Sequence, residues 1–231
     1  ESYPAVKNYL LSIGIERLEQ TGETYIDLAK LLNGKNYYIA TTNQDAQFYR
    51  VFPEERITRI QGDWRYWQCS RPCHDKIYYN KEETFKLYEK IENDALPDNL
   101  IPRCPHCGAE LAPWVRSYTF LQGEFYRQEM KRYMEFLRSN AHRNTLFLEL
   151  GVGMMTPMFI KEPFMNMVYQ WPNAFYVTLN PQHAIIPKEI KKKSLAISDD
   201  IAITLKQLLG ESTIGMKGFD AKEAFNPSRV Y

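Results

Sequence analysis

A chain of 231 residues can build one large hydrophobic core, or one core and a small accompanying module. It is 44% hydrophobic, yet no apolar run approaches the roughly 18 residues a membrane-spanning helix needs, which excludes a bilayer span. Lys and Arg number 29 against 28 Asp and Glu, a formal charge of +1, so no global basic field exists to hold a phosphate backbone and nucleic acid is not an expected partner.

The opening stretch "ESYPAVKNYLLSIG" carries a lysine inside its apolar segment and no small-residue cleavage site. It does not read as a signal peptide, and a cytoplasmic location is expected. From Val6 to Leu32 apolar residues recur at helical spacing (Leu10, Leu11, Ile13, then Ile26, Leu28, Leu31, Leu32), interrupted by the polar "EQTGET" at 19–24, which predicts two helices. "NYYIATTN" at 36–43 and "RITRIQG" at 56–62 are β-rich runs that end in amides and hydroxyls. Between 64 and 113 two cysteine pairs flank the charged "NKEETFKLYEKIENDALPDN", a stretch expected to bury poorly, and this segment reads as a small inserted module. Beyond it come an amphipathic helix at 124–140, a buried strand at 143–153 ending in glycines, another strand at 173–180, and a helix at 198–210 with an acidic start and a glycine stop. Strands alternating with helices predict an α/β fold with a parallel, doubly wound sheet. The last twenty residues, 212–231, lack strong periodicity and are expected to be a docked tail or a flexible end.

Cys69 and Cys73 form C-x3-C, and Cys104 and Cys107 form C-P-H-C in the knuckle-like "RCPHCGAEL". Two closely spaced pairs, each presenting two thiolates, are what tetrahedral zinc requires. Disulfides are the competing reading, less suited to a cytosolic chain. Four thiolates leave no open position, so the zinc is structural; His74 and His106, each beside a cysteine, are alternative ligands.

Taken in order, "TTNQDAQF", "IQGD", the two cysteine pairs, "FLELGVGMMTP" and "YVTLNPQHA" resemble the motifs of the sirtuins, namely T-Q-N-x-D, His-Gly, four zinc cysteines, a Gly-Thr-Ser type loop and a strand ending in Asn. The resemblance runs over about residues 36–210 and is nearest to the macrodomain-linked sirtuins, in which Gln-Gly, here Gln61 and Gly62, replaces His-Gly. It implies a Rossmann-like NAD-binding domain, residues 1–63 and 114–231, with helices on both faces of its sheet, and a zinc-ribbon module at 64–113, with NAD in the cleft between them. Carried over, Thr42, Asn43 and Asp45 correspond to the nicotinamide and ribose end of the site, and Gly151, Gly153 and Thr156 to the loop near the adenosine ribose and phosphates. Asn180 corresponds to the asparagine that meets the adenosine ribose, and Asp200 with Ile201 to the adenine-contacting segment. Each also has a plain reading: a strand-end turn for the glycines, a cap for Asn180, a helix N-terminus complement for Asp200, and a solvated turn for Gln61.

In ordinary deacylases of this family the histidine takes a proton from a ribose hydroxyl, which its pKa near the working pH permits. A carboxamide orients groups by hydrogen bonding and cannot hold an abstracted proton at neutral pH. The resemblance therefore implies transfer of ADP-ribose from NAD to a protein acceptor, a lipoylated carrier of the glycine-cleavage H type, with Asn43 and Gln61 as the assisting residues and a macrodomain hydrolase as functional partner. Deacylation and a non-catalytic binding scaffold are the alternatives. The family's Gly-Ala-Gly-x-Ser phosphate loop has no counterpart, since Gly14, Gly22 and Gly34 are unpaired, and the expectation is that an N-terminal part carrying it is missing from this sequence. Two surface readings remain. Trp64, Tyr66 and Trp67 fit either an acceptor-docking lip or packing around the zinc module. Lys188, Lys191, Lys192 and Lys193 fit either an attractor of an acidic carrier or a solvated run.

Overall fold

A computed structural model describes residues 21–45, 47–91 and 96–211. The helix expected around Leu10–Ile13 and the tail at 212–231 lie outside the described residues. The described residues divide into two compact units, one holding residues 39–132 and the other residues 22–38 and 133–211.

In the first unit, β1 (Ile39–Thr41) and β2 (Ile57–Arg59) pair in parallel, joined by the short helix α1 (Phe48–Val51). After Ile60 and Gln61 the chain turns into β3 (Gly62–Cys69), which takes β4 (Ile77–Tyr79) on one edge and β5 (Leu111–Val115) on the other, both antiparallel. The turn depends on Gly62. Its φ is +84°, and a Cβ there would stand 1.9 Å from the Trp114 carbonyl oxygen. Gly62→Ala is therefore expected to cost roughly 2–5 kcal/mol, the left-handed strain added to a clash with backbone that cannot yield. A urea unfolding midpoint unchanged from the parent would reject this account.

Trp67, Cys69, Leu87, Leu96, Ile101, Cys104 and Leu111 form the core of the cysteine-bearing segment, with Trp64 packed against it. The aromatic stretch is therefore packing, as Tyr66 also sets its ring edge against Trp114 and Tyr79. The charged stretch at 80–99 departs from expectation. It forms the helix α2 (Lys81–Tyr88), which buries Thr84 and Leu87, while Glu82, Glu83 and Lys86 face solvent. The physical reason is that Leu87, with Phe85 packed against the same core and Thr84 one turn back, suffices for a one-sided helix, whatever the charge on the other face. The long helix α3 (Glu124–Asn140) follows, its first N–H met by Asp75, whose carboxylate accepts from Glu124 N at 2.9 Å and pairs with Arg127 at 2.8 Å.

The second unit is built on three strands, β6 (Thr145–Leu150), β7 (Ala174–Leu179) and β8 (Ser194–Ile197), all parallel in the order β6-β7-β8. Alternate residues point to opposite faces of a strand. Phe147 and Tyr176 join Leu137 of α3 and Val168 of α4 (Lys161–Gln170) in one cluster. Val177, Leu179 and Ile197 join Ile201 of α5 (Ile201–Leu208) in another. Apolar side chains on both parities are what a sheet covered on both faces requires, so the parallel α/β expectation holds. A further helix, Glu23–Leu32, is joined to α5 by the Lys206 to Glu23 ion pair at 3.0 Å. Helix α4 and strand β8 were not foreseen in the sequence. The lysine run at 188–193 leads into β8 at its N-terminal end; Lys188, Lys191 and Lys192 are exposed, and Lys193 donates to the Val168 and Trp171 carbonyls at the C-terminus of α4.

Candidate functional site

The first unit brings together two motifs that lie 17 residues apart. Thr41 is buried at the end of β1, and its hydroxyl accepts from Asn43 N at 2.9 Å; Asp45 Oδ1 accepts from Gln47 N at 3.1 Å, closing a turn. Gln44 staples this loop to the next: its side-chain N–H donates to the Gln61 carbonyl at 3.3 Å, and its own carbonyl accepts from Trp64 N at 3.2 Å. The Gln61 backbone carbonyl also accepts from Arg116 N at 2.9 Å. Its backbone is thus fixed, while its half-buried carboxamide makes no hydrogen bond among the described residues. Thr42 is half-buried and Asn43 exposed at the same end of the β1-β2 pair. Asn43 and Asp45 line a small hollow walled by Tyr49, Arg59, Asp63 and Arg65; Gln61 stands outside that lining.

Behind the hollow is a buried charge network that sequence reading missed. Arg59 donates to both oxygens of Glu129, from N at 3.0 Å and Nε at 2.9 Å, and to Asp63 at 3.0 Å. Arg65 donates to Asp63 at 2.6 Å and stacks over Tyr49 with its guanidinium 3.4 Å from the ring centre. Burial disfavours the charge on Arg59, but the field and hydrogen bonds of Glu129, with Asp63, outweigh it and its pKa is raised. Arg65 is raised likewise, Asp63 overcoming the burial cost. A signal was present in "RITRIQG", where an arginine sits inside an apolar strand and must find a carboxylate.

In the second unit the predicted residues gather at the C-terminal ends of β6 and β7. Gly151 has φ +70°, donates its N–H to Leu179 O at 3.0 Å, and lies against Ile201. Gly153 is open, with no atom within 4 Å of where a Cβ would stand. Thr156 precedes the short 3-10 turn Pro157–Phe159. Asn180 is buried; its Nδ2 donates to Val152 O at 3.0 Å and its Oδ1 accepts from Gln182 N and His183 N. Asp200 caps α5, accepting from Ile203 N at 3.1 Å. Residues Glu149 and Lys161, buried beside them, were not foreseen.

The four cysteines form one group, with their sulfur atoms all within 4.8 Å of one another; Cys69 and Cys104 are buried, Cys73 and Cys107 exposed. Cys69 to Cys107 is 3.5 Å and Cys73 to Cys104 is 3.6 Å, far beyond a disulfide and close to the about 3.8 Å between thiolates on a tetrahedral zinc. The donor set fits a structural zinc ion, which these four thiolates would hold with no position left for substrate. His74 is not one of the four, although its Nδ1 lies 3.5 Å from Cys73 Sγ; its Nε2 is hydrogen-bonded with the Tyr78 hydroxyl and its ring lies against that of His106, 4.5 Å between centroids.

Solved structures with a similar fold exist. One, from a study of the structural basis for sirtuin substrate affinity, superposes with a TM-score of 0.58 at 17% identity, covering 84% of this chain and 73% of that one. Another, a mutant Sir2 homologue in complex with ADP-ribose, gives 0.54 at 15% identity, covering 88% and 71%. The fold is that of the sirtuins. By sequence this sirtuin-fold chain is similar to a protein ADP-ribosyltransferase of Staphylococcus aureus (strain Mu50), 31% identical over 201 residues, covering 85% of this chain and 64% of the relative. It is also similar to a probable bifunctional ADP-ribose hydrolase/ADP-ribosyltransferase of Fusarium oxysporum f. sp. cubense, 26% identical over 189 residues, covering 76% of this chain and 31% of the relative. The chain thus spans less than two thirds of the length of either. No protein-family model matches it.

Proposed function

We propose that this sirtuin-fold chain carries the activity of an NAD-dependent protein mono-ADP-ribosyltransferase. The observation that carries the reading is the Gln61 carboxamide, held on a fixed backbone beside the Asn43 loop and making no hydrogen bond among the described residues. The likeness to the Staphylococcus aureus transferase supports it.

On this reading Thr42, Asn43 and Asp45 serve the nicotinamide and ribose end of NAD. Gly151, Gly153, Thr156, Asn180, Asp200 and Ile201 serve the adenosine end, with Asn180 and Asp200 acting through the loops they brace. The bond between the ribose C1′ and nicotinamide breaks with its electron pair leaving on nicotinamide, and the acceptor nucleophile forms a new bond to C1′ while its proton passes to solvent. Gln61 orients the incoming group by hydrogen bonding and accepts no proton, which is why an acceptor already reactive at neutral pH is required. Deacylation by the family's usual route lacks its base. We extend the reading to a lipoylated carrier protein as acceptor and to an ADP-ribose hydrolase as the reversing partner, a pairing in keeping with the two activities in the name of the Fusarium relative.

The test is intact-mass spectrometry of a lipoylated carrier protein, with an acetyl-lysine peptide in parallel, after incubation with the full-length protein and NAD. The carrier is expected to gain one ADP-ribose and the peptide to stay unchanged. Gln61→Ala is expected to slow transfer about a hundredfold by loss of orientation. Loss of the acetyl group from the peptide would overturn the transferase reading, and full activity in Gln61→Ala would remove the role given to that residue.

A further inference from the structure

Beneath the loop that carries Gly151 and Gly153, the Glu149 carboxylate is withdrawn completely from water and meets four donors. Val152 N donates to Oε1 at 2.9 Å; Lys161 Nζ at 2.6 Å, Tyr176 OH at 2.6 Å and Thr178 Oγ1 at 2.7 Å donate to Oε2. The register explains the convergence, because Glu149 stands opposite Thr178 and Phe147 opposite Tyr176 on one face of the sheet. Lys161 is itself buried and donates a second bond to His183 O at 3.1 Å.

These bonds close a ring. Glu149 holds the Val152 N–H, the Val152 carbonyl holds Asn180 Nδ2, Asn180 Oδ1 holds the His183 N–H, the His183 carbonyl holds Lys161, and Lys161 returns to Glu149. Two loops, after β6 and after β7, are thereby tied through their backbones at the strand ends where open parallel sheets receive ligands. Burying both charges of an ion pair is often no more stabilising than an apolar pair of the same volume, so stability alone is a poor account of this one. What the ring supplies is position.

We propose that Glu149 and Lys161 are positioning residues that preorganise the 151–156 and 180–183 loops for the nucleotide. The proposal rests on the NAD reading above. Ordering these loops before the ligand arrives removes an entropy cost from binding.

The experiment measures NAD affinity by calorimetry on the full-length protein, together with urea unfolding, for Lys161→Met, for Glu149→Gln/Lys161→Met and for Tyr176→Phe. The double variant removes both charges and so folds without the pair. Tyr176→Phe deletes a bond to the same carboxylate and leaves the ring intact. A Kd for NAD raised about tenfold in the ring variants, with Tyr176→Phe unchanged even where it loses similar stability, is the expected result. An unchanged Kd in the ring variants, or an equal rise in Tyr176→Phe, overturns the proposal while the NAD reading stands. A parent protein that binds no NAD overturns the reading and the proposal together.

Discussion

Removing zinc with a chelator, or replacing Cys104 by serine, is expected to unfold the segment from β3 to β5. Among the described residues, two of the seven side chains in its core are themselves cysteines of the cluster, Cys69 and Cys104. A core this small does not outweigh the conformational entropy of about fifty residues without a cross-link. Structural zinc contributes about 10 kcal/mol or more to such modules, because the site exists only in the folded chain. Once the metal is gone, four thiols remain within 4.8 Å of one another, either repelling as thiolates or protonated and uncoordinated. Loss should spread to the start of α3, since Asp75, two residues beyond Cys73, holds the Glu124 N–H. Metal analysis should find one zinc per chain, and chelation should shift the fluorescence of the buried Trp67 and open the segment to protease. Retention of the Trp67 signal in a metal-free protein would show that the core stands alone.

Glu129→Ala is the point substitution expected to cost most, about 3–5 kcal/mol, because it leaves a buried arginine short of its main partner. Arg59 gives Glu129 its backbone N–H and two side-chain donors, and Asp63 takes only one more. The Arg59 pKa is raised above its ordinary value, so the stability it contributes is fully present below that ordinary value and is lost only as pH rises past it. The loss in Glu129→Ala should therefore be flat with respect to Arg59 across the neutral range. Arg59→Met/Glu129→Leu, which removes both charges, is expected to recover most of the stability. Denaturant melts of the three proteins decide the matter, and a cost below about 1 kcal/mol for Glu129→Ala would place that carboxylate with surface pairs.

Much of the architecture was legible in the chain. The unbroken apolar stripe at 124–140 predicts a helix with the observed bounds, and the apolar runs at 143–153 and 173–180, which end at glycine or asparagine, predict strands that form over the shorter spans Thr145–Leu150 and Ala174–Leu179. The helix Lys161–Gln170 and the strand Ser194–Ile197 were not read, the first for its mixed composition, the second for its four-residue length beside a lysine run. The 80–99 stretch misled because average charge says little about one face of a helix.

The cysteine spacing by itself determined a metal-binding cluster, and Gln61 by itself determined that no histidine base stands in the Gln-Gly position, since both are facts of covalent chemistry and residue type. Only the tertiary structure decided how the sites are held. That Gln44 staples the Asn43 loop to Gln61, that Arg59 requires Glu129, and that Glu149 closes a ring through Lys161 and Asn180 all depend on contacts between residues far apart in the chain. A buried charge in a sequence announces the need for a partner; only the fold, by bringing strands into register and excluding water, determines which residue answers it.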